Sequence, residues 1–132
     1  MRILILMLFI VAGLVSCKHH HGSCEDPSCK EVMAIHDEVM PKMSTMHQYK
    51  KELKKLRDSN PDAEKAILQR IALLESADEG MMAWMHAFKV PEDKSAAKTY
   101  LEAEKIKIQQ VSDDMYRSMD EAKKLIDSLH FK

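Results

Sequence analysis

Apolar residues recur along most of this chain at steps of three and four, the spacing that gathers them on one side of an α-helix. From position 29 to about 58, Val32, Ile35, Val39, Met46, Leu53 and Leu56 mark one such face. A second face, from 61 to about 89, carries Ile67, Ile71, Leu74, Met81, Met85 and Phe88. A third, from 95 to about 130, carries Leu101, Ile108, Val111, Met115, Met119, Ala122, Leu125, Ile126 and Leu129. No stretch alternates with period two over β-branched residues, so no sheet is predicted.

The punctuation between these faces fits three helices. Pro41 falls inside the first; it lacks a backbone donor and crowds the carbonyl of Asp37, which predicts a kink between Asp37 and Pro41. Asn60 is placed to cap a new helix, Pro61 to occupy its first position, and Asp62 and Glu64 to complement its positive end. Pro91-Glu92-Asp93-Lys94-Ser95 closes the second helix and opens the third. Connections this short force neighbouring helices to run antiparallel. The predicted fold is all-α, an up-down-up three-helix bundle of long helices over 29–132. A helical hairpin that dimerises as a coiled coil is the alternative.

The start of the chain departs from this pattern. After Met1-Arg2, an unbroken apolar run from Ile3 to Val15 spans 13 residues, short of the ~20 that a membrane-crossing helix needs. A basic tip, a short apolar segment and small residues at its end predict a signal peptide over 1–16. Leu14-Val15-Ser16-Cys17 is similar to the lipobox of bacterial lipoproteins, which implies that Cys17 becomes the lipidated first residue. Two or three acyl chains, each methylene contributing ~0.8 kcal/mol, would make that anchor permanent. Lys18 stands where an aspartate would favour the inner membrane, so the expected address is the cell envelope, lipid-anchored in the outer membrane.

Residues 17–28 then read as the lipidated cysteine and a flexible tether, polar and containing Gly22, Ser23 and Pro27. Cys24 and Cys29 lie on either side of its end. Four residues between them is not the spacing of a structural zinc site, and outside the cytoplasm a disulfide is the favoured pairing. His19, His20 and His21 leave metal binding by this segment as the other reading.

Without the signal, 116 residues remain, enough for one domain. Removing Arg2 leaves 19 basic residues against 21 acidic ones. That balance predicts no nucleic-acid partner and no basic face. Charged runs such as Glu102-Ala103-Glu104-Lys105 read as solvated helix surface. E-x-x-H, HExxH, the nucleophile elbow and the glycine-rich phosphate loop are all absent from the sequence, which argues against an enzyme.

Methionine and histidine supply the one unusual signal. Nine methionines follow residue 16. At ~100° per residue, Met33, His36, Met40, Met43 and His47 share an arc of about 80°. Met81, Met82, Met85 and His86 crowd around Trp84. If the first two helices pair about Ser59, His36 faces Met82 and Met33 faces Met85. Thioether with imidazole is a ligand set suited to Cu(I) or Ag(I). The candidate soft-metal ligands are therefore Met33, His36, Met40, Met82, Met85 and His86, with copper as the implied ion. Against this stands plain packing, since methionine fills irregular helical cores and a histidine at their edge commonly bonds a neighbouring carboxylate.

Two segments, His36-Asp37-Glu38-Val39-Met40-Pro41-Lys42-Met43 and Asp78-Glu79-Gly80-Met81-Met82-Ala83-Trp84-Met85-His86-Ala87-Phe88-Lys89, carry a family resemblance. The chain from Glu31 onward resembles small helical lipoproteins of Bacteroidota-type bacteria, sometimes labelled viral A-type inclusion protein-like. The resemblance implies an envelope lipoprotein and transfers no catalytic residue. The expected role is that of a non-enzymatic structural or protein-interaction module, with membrane contact through the lipid and an envelope protein or a second copy as partner. Soft-metal binding is the alternative.

Overall fold

A computed structural model describes residues 24–131. Residues 1–23, which hold the expected signal peptide, Cys17 and most of the expected tether, and Lys132 lie outside them. Four α-helices, α1 (Pro27–Val39), α2 (Met43–Ser59), α3 (Glu64–Ala87) and α4 (Lys94–His130), make three rods packed against one another. The described residues contain no strand.

The first rod is α1 and α2 joined through a 3₁₀ turn over Met40–Lys42. Pro41 is the cause: it cannot donate to the carbonyl of Asp37, so the chain tightens for one turn and then resumes α geometry. The rod starts earlier than the tether boundary at 28 predicts, because Asp26 caps it, its carboxylate accepting from the Ser28 amide at 2.8 Å, and Pro27 sits in the first turn. Asn60 does not cap the following helix. Its side-chain amide donates to the Leu56 carbonyl at 2.9 Å, so it closes α2 instead. A helix C-terminus leaves bare carbonyls, and an amide group can donate to them where a carboxylate cannot. A second 3₁₀ turn over Pro61–Ala63 leads into α3.

The Asp93 carboxylate caps α4 by accepting from the Ala96 amide at 2.8 Å, and α4 then runs 37 residues without interruption, ~55 Å at 1.5 Å per residue. It is the spine of the molecule. Val32, Val39, Met46, Leu53, Ile67, Leu74, Met81, Leu101, Ile108 and Met115 are all inaccessible or nearly so and form one continuous core. Of the apolar positions read from the sequence, Ile35, Leu56, Met85, Phe88, Val111 and Leu125 line the margin of that core rather than its centre.

The three rods are not equally close. α2 packs against both α3 and α4, whereas α1 makes its intimate helix-to-helix contact with α4. Long side chains bridge the wider space between α1 and α3. Ion pairs and hydrogen bonds tie the rods at their rims, including Lys105 to Glu31 at 2.6 Å, Tyr116 to Glu38 at 3.2 Å, and Arg70 to Glu121 at 3.3 Å.

Candidate functional site

Cys24 and Cys29 are joined in a disulfide with their Cα atoms 5.3 Å apart. Cys29 is buried at the foot of α1 and Cys24 packs against the same core. The half-cystine at 24 therefore belongs to the folded body.

Just above the staple the bridge between α1 and α3 begins. His36 is only 16 % exposed, and each ring nitrogen has a partner. Nδ1 lies 2.8 Å from Asp37 Oδ1, and Nε2 lies 3.1 Å from Met85 Sδ. The imidazole also leans on Trp84, with ring centroids 5.8 Å apart. Trp84 stacks in turn on Phe88 at 4.9 Å, and Phe88 on Tyr100 at 6.0 Å. Tyr100 Oη accepts from the Lys89 amide at 2.7 Å, closing the end of α3.

Beneath the aromatic row is a buried carboxylate. Glu104 is 4 % exposed; Oε2 accepts from the Trp84 indole N–H at 2.8 Å, and Oε1 accepts from the Lys107 ammonium at 2.6 Å. The Glu104 hydrogen bond and charge hold the Lys107 pKa above its ordinary value. This corrects the reading of Glu102–Lys105 as wholly solvated. Glu104 lies three residues from Leu101 and four from Ile108, on the apolar face of α4, and a tryptophan opposite needs an acceptor for its N–H. That periodicity was the available signal.

The six candidate ligands divide. Met33, Met40 and Met85 are half-buried against the core, and His36 joins them on the α1 side. Met82 is 52 % exposed and His86 is exposed, so neither faces the interior. His36 meets Met85, not Met82, one turn away from the predicted register. The physical reason is the direction of Cα–Cβ bonds, which tilt toward each helix N-terminus. On the first rod that tilt carries side chains away from the turn at Asn60, and on α3 it carries them toward it. Contacting pairs are therefore shifted by a few residues from the level of their backbones. A larger displacement in the same direction, spanned by long side chains, brings His47 and Lys50, instead of Met40, to Asp78 at 3.1 and 3.0 Å.

Asp78 is the most perturbed acid of this region. Partial burial pushes its carboxyl up, but hydrogen bonds and charge from Lys50 and His47 outweigh that and hold it below the ordinary value. Nearby, His47, Lys50, Lys51, Lys54, Lys55 and Arg57 line an open surface along α2. The overall charge balance predicts no basic face, yet α2 has a local one because five lysines and arginines fall within positions 50–57, with Lys51, Lys54 and Lys55 exposed beside the buried Leu53.

No protein-family model matches the chain, and no curated protein or solved structure compared with it does so. The class defined by the geometry is thus a three-rod helical bundle with a buried Trp–Glu pair and a histidine–thioether contact at its stapled end. Among the described residues, no helix is long and apolar enough to cross a membrane.

Proposed function

We propose that the chain is a non-enzymatic lipoprotein of the cell envelope, attached through Cys17, whose helical bundle acts as a structural or protein-interaction module. In this reading the rods run up, down and up. Contacts such as Lys105 with Glu31 and Tyr116 with Glu38 support a parallel course for α1 and α4, and Arg70 with Glu121 together with Trp84 with Glu104 support an antiparallel one for α3 and α4. The observation that carries the interaction role is the surface of α3. Leu68, Leu73 and Met82 are 45 %, 42 % and 52 % exposed, and Gly80–Ala87 contains no lysine, arginine, aspartate or glutamate. An uncharged outer side such as that of Gly80–Ala87 is suited to further apolar contact. The buried polar groups support the same view, since Glu104 is engaged by Trp84 and Lys107, and the Ser118 hydroxyl by the Met115 carbonyl.

Two measurements test this. Cys17→Ala should move the protein from the membrane fraction to the soluble envelope fraction. A photoreactive residue at Leu68 or Leu73 should give one discrete crosslinked product in cells, while the same group at Lys123 on α4 should not. Equal, diffuse labelling from all three positions would remove the interaction role.

A further inference from the structure

His36 is held between two hydrogen-bond acceptors. A carboxylate in its ionised form only accepts, so the 2.8 Å contact with Asp37 favours a ring proton on Nδ1. In neutral imidazole this leaves a lone pair on Nε2. That lone pair faces another, on Met85 Sδ, at 3.1 Å. The two donors converge on one point, which a ring proton on Nε2 or a cation can occupy. A thioether is only a weak acceptor for such a proton. A soft monovalent cation is the better match for sulfur and imidazole together.

We propose that His36 Nε2 and Met85 Sδ, completed by a thioether from Met33 or Met40, form a binding site for Cu(I) or Ag(I). This goes beyond the interaction role and does not depend on it. Met33 and Met40 stand three residues before and four after His36, on the same side of the first rod, and both are half-buried against the core. The hydrogen bond from Nδ1–H to Asp37 is the outer support that metal-bound histidines ordinarily receive; it fixes the tautomer and the ring orientation. The carboxylate also offsets the charge of a monovalent ion held by neutral ligands. Trp84 covers one side of the ring.

The site must open slightly. With metal–nitrogen and metal–sulfur bonds of about 2.0 and 2.3 Å in trigonal geometry, the ligand atoms would be about 3.7 Å apart. The adjustment from 3.1 Å is within the reach of the unbranched Met85 chain. It is also eased by the separation of α1 from α3, whose connection here runs through side chains. Met82 and His86 are excluded because they face outward.

The test is anaerobic Cu(I) titration of the full chain against a chromophoric chelator, with Ag(I) as a redox-inert second probe. His19, His20 and His21 are replaced by serine in every arm, so that tract contributes nothing. One ion per chain is expected, with one nitrogen and two sulfurs in its X-ray absorption spectrum. Asp37→Asn should weaken binding by about 10- to 100-fold, and Met85→Leu or His36→Asn by more. Met82→Leu and His86→Asn should leave it unchanged. Met85→Leu keeps apolar volume at a half-buried position, so it decides the matter even if His36→Asn folds poorly. Undiminished affinity in Met85→Leu, or no stoichiometric binding by the parent, overturns the proposal.

Discussion

The two ends of the bundle are built from different materials. Toward Asn60, Leu53, Ile67, Ile126 and Leu129 fill the core with branched aliphatic side chains. Their polar neighbours lie outside, as in the contact of His130 with Glu52 at 3.3 Å. Toward the disulfide, the corresponding space holds Trp84, Phe88, Met85 and His36, with Glu104 buried among them. At the first end, α2 lies close to both neighbours; at the second, α1 adheres to α4 and leaves a wider interval to α3. Wide rings and long thioethers are what such an interval requires. The stapled end has therefore replaced interchangeable apolar packing with specific polar contacts, and these contacts can discriminate or bind.

Substitution at the two ends should expose the difference most strongly at Trp84. Trp84→Ala removes a buried ring and leaves Glu104 Oε2 without its donor, and should cost about 3–5 kcal/mol in urea unfolding. Leu53→Ala at the other end should cost about 2–5 kcal/mol, since it leaves only a cavity. The sharper contrast comes from gentle changes. Trp84→Phe should still cost about 1–3 kcal/mol because the buried Glu104 Oε2 loses its donor, whereas Leu53→Met should remain below about 1.5 kcal/mol. If both gentle changes were equally mild, the Trp84–Glu104 hydrogen bond would be ornamental and the two ends equivalent.

This division also explains what was legible beforehand. Helix number, approximate limits and the break at Pro41 follow from periodicity and from backbone rules that act within a few residues. Val32, Met46, Leu74 and Ile108 could be assigned to the core for the same reason. Register is not legible in this way, because it depends on how side chains lean across the gap; backbone level alone puts His36 opposite Met82, whereas it meets Met85. Glu104 was missed because its local sequence is charged, and its burial is decided by Trp84, twenty residues away. Half of the candidate ligand set was reachable from spacing on one helix, while the choice between Met82 and Met85 needed the opposing rod.

The disulfide offers an intermediate test of regional independence. Closing a loop of about six residues is worth about 2 kcal/mol in the chain-entropy account. Replacing Cys24 and Cys29 together by alanine should lower stability by that amount. Its local consequence matters more: hydrogen exchange should accelerate in α1 from Pro27 toward Ile35, while amides around Leu53 and Ile67 keep their protection apart from the global change. Acceleration spread evenly along all rods would mean that the ends do not open separately.

The smallest effect concerns pH, and it lies at Asp78, where the two regions meet. Its carboxyl is held below the ordinary value despite partial burial, because Lys50 and His47 favour the charged form. A carboxyl with a lowered folded pKa binds fewer protons when folded than when unfolded over the window between the two values. Its stabilising contribution is therefore complete above the unfolded value of about 3.9, and declines as pH falls through the folded one. Stability should drop with acidification below about pH 4, and Asp78→Asn should flatten part of that slope while costing about 1 kcal/mol or less near neutrality. Lys50→Met should flatten the same part by returning Asp78 toward the ordinary range. An unchanged acid slope in both variants would show that Asp78 does not couple the rods, and that the boundary between the ends rests on apolar packing alone.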